Sequence, residues 1–86
     1  MRIYFHGQFD KQYSRLPAAQ KKRLEEAILL FRKDPYSPVL RNHALSGNWT
    51  GHRSISFGGD WRAHYKAISD DEALFIAIGT HSQLYG

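Results

Sequence analysis

The chain has 86 residues, 42% hydrophobic and 14% aromatic, with 12 Lys/Arg against 8 Asp/Glu for a formal charge of +4. This is enough for one modest core and too little for two, so residues 1–86 read as a single folded domain rather than a disordered tail. The absence of cysteine excludes disulfide and thiolate chemistry, and with no membrane-length apolar run and no evident secretory signal the expected compartment is the cytoplasm.

Arg2-Ile3-Tyr4-Phe5-His6 patterns as a strand that Gly7 ends, and Asp10 is a candidate N-cap for a short helix through Leu16. Pro17 suits the start of a second helix, in which Leu24, Ala27, Ile28 and Phe31 share one face while Lys21, Lys22, Glu25 and Glu26 sit elsewhere. Asp34-Pro35 ends that helix, and a long loop then carries His43. From Ser54 the period changes to two. Gly58-Gly59-Asp60 is a hairpin turn into a strand on which Trp61, Ala63, Tyr65 and Ala67 face one way and Arg62, His64 and Lys66 the other. After a turn at Ser69 to Asp71, Leu74 to Ile78 is apolar on both faces, as in the middle of a sheet. The expected fold is α+β, in the order β-α-α-β-β-β, with two helices on one face of a small, mainly antiparallel sheet.

The charge is uneven. Residues 1–40 hold eight Lys/Arg against four acids, and three of the remaining acids crowd one turn, so much of the surface is basic and a polyanionic partner fits it. Four of the five histidines lie in the second half, within His43-Ala44-Leu45-Ser46-Gly47, Gly51-His52-Arg53, Asp60-Trp61-Arg62-Ala63-His64-Tyr65 and Gly79-Thr80-His81-Ser82-Gln83-Leu84-Tyr85. In this order these segments resemble the RelE/ParE toxin superfamily, and most closely its YafQ-like branch. The resemblance spans nearly the whole chain. It implies the poison half of a type II toxin–antitoxin pair, a small ribonuclease that cuts mRNA in the ribosomal decoding site and is silenced by a cognate antitoxin, with operator DNA reached only through that antitoxin. Two positions depart from the YafQ-like pattern. Where it has a further histidine four places before the Asp-Trp pair this chain has Ser56, and Arg62 resembles instead an arginine of RelE-like relatives. Serine cannot exchange protons at neutral pH, so that role is lost or relocated, and Arg62 is the expected replacement.

The chemistry can also be argued from the side chains. RNA supplies its own nucleophile, the 2′-OH, so a protein needs a base, an acid and a cation, and no metal or cofactor. His43 (as base), His81 (as acid), Asp60 and Arg62 are the candidate catalytic groups; Arg53, Tyr85, His64, Lys66, Lys21 and Lys22 are candidate RNA contacts. Neither a zinc-type Cys/His spacing nor an HExxH occurs. Trp61 and Tyr65 are expected in the core, His6 and His52 in structural or surface positions, and Asp60 doubles as an ordinary turn residue. Two alternatives stay open at this stage: a ParE-like poison of DNA gyrase, and a decayed toxin kept as an antitoxin-binding or co-repressor subunit.

Overall fold

Residues 53–80 form the backbone of the molecule, three antiparallel strands whose inner faces carry most of the core. The computed structural model describes residues 1–85. Its elements are β1 (Arg2–Phe5), α1 (Gly7–Ser14), α2 (Ala18–Lys33), a 3-10 turn at Pro38–Leu40, β2 (His43–Ala44), a second 3-10 turn at Gly47–Trp49, β3 (Arg53–Gly58), β4 (Trp61–Ser69), β5 (Glu72–Thr80) and α3 (His81–Tyr85). The strand order is β1-β5-β4-β3-β2, with β1 parallel to β5 and every other pair antiparallel. The expected α+β architecture is therefore present, enlarged by the short β2 and by α3.

The period-two pattern of β4 holds as expected. Ala63 and Tyr65 are buried on the face that α1 and α2 cover, and Trp61 packs against the same cluster. Phe75 on β5 is the hub. Its ring lies 5.2 Å from Phe31, 5.8 Å from Phe9 and 5.1 Å from Tyr65, the first two edge-on, the arrangement that the aromatic quadrupole favours. From α2, Leu24, Ala27 and Phe31 are buried and Ile28 packs beside them, which is the stripe its spacing predicts. Apolar on both faces, β5 sits between two neighbours. A register shift opposite His64 and Tyr65 interrupts its ladder with β4, and close by the Ile78 N–H is taken up by Gln12 Oε1 of α1 at 2.7 Å.

Three local expectations are corrected. The first helix starts at Gly7 rather than near Asp10, because His6 is its N-cap: the ring Nδ1 accepts from Gln8 N at 3.0 Å. Pro17 stands at the N-cap of α2, one place before the first helical residue. The loop after α2 is not featureless, for His43 and Ala44 pair with Ser54 and Arg53 as an edge strand.

Removal of the hub ring should be severe. Phe75→Ala is expected to cost about 3–5 kcal/mol, a large share of what a domain of this size has, so urea titration should show a loss of cooperative unfolding or a far lower midpoint.

Candidate active site

Cross-strand partners point to the same side of a sheet, so the register itself assembles the site on the face away from α1 and α2. One row runs His43, Ser54, His64, Ala77 across β2, β3, β4 and β5; the next runs Ser56, Arg62, Gly79. His43 and His81 thus flank Arg62, with the backbones of β2 and β5 separated by three strand spacings, roughly 14 Å.

His43 is aimed by the loop before it. The turn at Pro38–Leu40 buries Leu40 and ends on Arg41, which adopts the left-handed conformation (φ 49°) unusual for a residue with a Cβ. That twist turns the Arg41 carbonyl to His43 Nδ1 at 2.9 Å. A carbonyl only accepts, so Nδ1 carries the hydrogen and the neutral ring keeps the lone pair of Nε2 for other work. Asn42 anchors the same loop, donating to the Pro35 carbonyl (2.9 Å) and to Tyr65 Oη (2.8 Å) while accepting from Arg53 Nε (2.8 Å). Arg53 also stacks on Tyr36 at 5.4 Å, and its β-sheet partner is the buried Tyr65. It therefore lies on the helix-bearing side as a loop anchor, and not on the face that holds Arg62.

His81 opens α3, a helix far too short to persist unaided. Its sequence supplies the bracing. Thr80 Oγ1 accepts from Gln83 N (3.3 Å) and Gln83 Oε1 accepts from Thr80 N (2.8 Å), a reciprocal capping box. Gly79 allows the fold-back: a Cβ there would stand 3.2 Å from both Gln83 Oε1 and Leu84 Cγ. The His81 N–H donates to the Asp60 carbonyl at 3.1 Å. Asp60 thus positions His81 through its main chain, while its side chain sits exposed in the turn. One helical turn on from His81, the Tyr85 ring packs 4.6 Å from the imidazole.

Arg62 is fixed through one end of its guanidinium. Nη1 donates to Ser56 Oγ (3.2 Å) and to the carbonyls of Gly59 (2.9 Å) and Trp61 (3.0 Å). Ser56, the departure from the family pattern, is therefore the register partner and hydrogen-bond acceptor of the arginine expected to replace the missing histidine.

Full burial takes His64 out of reach of RNA, which corrects its place among the RNA contacts. Trp49 stands perpendicular to its ring at 4.5 Å, and Tyr85 Oη lies 3.3 Å from Nε2. Desolvation, reinforced by the nearby His52, His43 and Arg62, lowers its pKa from the ordinary 6.5 to about 4, so the ring is neutral. Trp49, which sequence inspection missed, also donates from Nε1 to the Leu84 carbonyl at 3.3 Å and so joins its loop to α3. A large aromatic framed by Gly47 and Gly51 was the available signal. Lys66 is exposed on the same face as Arg62. Lys21 and Lys22 belong to α2 on the other side of the sheet, Lys21 over the Tyr13 ring at 5.5 Å, so they do not join the His43–Arg62–His81 group.

The family model described as bacterial toxin of type II toxin-antitoxin system, YafQ, matches residues 1–86. The chain belongs to the YafQ toxin family. The mRNA interferase toxin YafQ of Escherichia coli K12 is 30% identical over 91 residues, covering 98% of this chain and 95% of the relative. The crystal structure of YafQ from E. coli BL21(DE3) superposes with a TM-score of 0.78 at 30% identity over the full length of both chains. YafQ in the E. coli DinJ-YafQ toxin-antitoxin complex gives 0.75 at 31% identity, covering 98% of this chain and 96% of that one.

This YafQ-family toxin should lose stability in acid for a definable reason. Below the ordinary histidine value of 6.5 the unfolded chain takes up a proton that folded His64 refuses until about pH 4. Stability therefore falls as pH drops through that window, by up to about 1.4 kcal/mol per pH unit, and the slope ends once the folded ring also protonates. Urea titrations of wild type and His64→Leu across pH 7 to 4 should show this slope reduced in the variant.

Proposed function

We propose that this toxin is an endoribonuclease that cleaves messenger RNA on the ribosome, in the cytoplasm, by metal-free attack of the RNA's own 2′-OH. Support for the activity class comes from membership of the YafQ family and from the relative named an mRNA interferase. The same assignment favours a nuclease over a ParE-like gyrase poison. The observation that carries the mechanism is the bond from His43 Nδ1–H to the Arg41 carbonyl, which leaves Nε2 as a free base on the face that holds Arg62.

In this scheme His43 Nε2 takes the 2′-OH proton as the 2′-oxygen attacks phosphorus. The bond from phosphorus to the 5′-oxygen breaks, and His81, in its protonated form, delivers a proton to that oxygen. Arg62 offsets the charge that accumulates on the phosphoryl oxygens. It can do so without reorganising because three acceptors already hold Nη1. The products are a 2′,3′-cyclic phosphate and a 5′-hydroxyl. The partly exposed Tyr85 ring stacks a base, and Lys66 meets a neighbouring phosphate. An antitoxin partner follows from the relatives, which include YafQ bound to DinJ. An acidic, partly disordered segment would match the basic surface.

His43→Ala and His81→Ala should each slow cleavage by about 10² to 10⁴, with antitoxin binding retained. Ends mapped after cleavage on purified ribosomes should carry the cyclic phosphate, and chelation after ribosome assembly should leave the cleavage step unchanged; 5′-phosphate ends would refute the mechanism. Ser56→His should not raise the rate, since the imidazole would crowd out the acceptor of Arg62. A clear gain would show instead that Ser56 marks a lost catalytic histidine.

A further inference from the structure

The mechanism makes no use of His64, although it is one of the most completely buried side chains in the molecule. Stability gives it little reason to be there. Its Nδ1 and the Oγ of its register partner Ser54 are both buried, with no hydrogen-bond partner among the described residues, and an unpaired buried polar atom costs stability that an aliphatic side chain would not. What the ring does have is one directed contact, Nε2 to Tyr85 Oη at 3.3 Å, and a perpendicular wall, Trp49.

We propose that His64 is a positioning residue, which accepts the Tyr85 phenolic proton on Nε2 and thereby sets the Tyr85 ring beside His81 for cleavage. The inference rests on the assignment of His81 and Tyr85 to the cleavage site. Tyr85 is the last residue of α3 and is 42% exposed, so packing alone leaves it free to swing. Its rigid reference points lie on the sheet. His64 belongs to β4, the strand that also carries Arg62, and Trp49 grips the α3 backbone at Leu84. The base-stacking face, the acid and the phosphate-binding cation are thereby referred to one strand. The proton direction is consistent with both ends. Desolvation raises the Tyr85 pKa, so the phenol keeps its proton, and His64 stays neutral and able to accept it.

The test is a double-mutant cycle of His64→Leu and Tyr85→Phe, read as single-turnover cleavage of mRNA on purified ribosomes together with thermal stability. Each single variant should lose roughly 10-fold, about what one neutral hydrogen bond is worth. The double variant should be no slower than either. His64→Gln, which retains an acceptor at a similar reach, should recover most of the rate. His64→Leu should melt no lower than wild type, so that activity falls while stability does not. Additive losses, a silent Tyr85→Phe, or a loss of rate that tracks a lowered melting temperature would overturn the proposal. Nitrogen NMR of the histidine rings gives a readout independent of activity. At pH 7 His64 should be neutral with Nε2 unprotonated, and that resonance should move in Tyr85→Phe; the opposite tautomer, or no change, would overturn it with cleavage by wild type intact. A wild-type protein that does not cleave would instead defeat the nuclease assignment before any variant is compared.

Discussion

A five-stranded sheet has two faces to cover, and once α1 and α2 have packed on one, this chain has little left for the other. Among the described residues, the second face gets the turn at Gly47–Trp49 and the five residues of α3. Everything particular to the site follows from that shortage. His64 lies fully buried against Trp49 and Tyr85, in one row with the buried Ser54 and Ala77, while His43, Arg62 and His81 stay within reach of a large substrate. Packing of this kind suits an enzyme whose substrate is a polymer, since a flat, half-open face admits a strand where a closed pocket would not.

The thinness of the second layer explains why the residues around the catalytic candidates are so heavily engaged in hydrogen bonds. Arg41 tolerates a left-handed backbone that directs a carbonyl to His43. Thr80 and Gln83 cap a helix that has no hydrophobic stripe long enough to hold it. These bonds replace the burial that a thicker domain would use. They fix orientation more than they add stability, because a neutral hydrogen bond exchanges with water for about 1 kcal/mol or less.

The strands, the amphipathic helix and the membership of the core were legible because period and burial obey the same geometry: Leu24, Ala27 and Phe31 had to share a face, and so did Ala63 and Tyr65. The catalytic candidates were legible as motifs. Their environments were not. Arg53 and Arg62 lie on neighbouring strands, and the register turns one to the helices and the other to the site. His64 alternates with Arg62 and Lys66 as an outward residue should, and it is buried because Trp49, fifteen positions earlier, and Tyr85 close over it. The capping role of His6 was hidden for the opposite reason. Histidine is an uncommon N-cap, so Asp10 was the more attractive choice until the turn itself was seen.

The parallel pairing of β1 with β5 bears on how the molecule comes into being. Arg2 to Phe5 pair in the sheet with Glu72 to Phe75, 70 positions further along the chain. β1 therefore waits unpaired until β5 has been made, and Phe75, around which the aromatic core closes, arrives with that same segment. Local order in α1 and α2 can precede it, but β1 joins the sheet only when β5, the strand between β1 and β4, is in place. A nascent chain cut short before β5 therefore lacks both the aromatic hub and the strand that leads into His81.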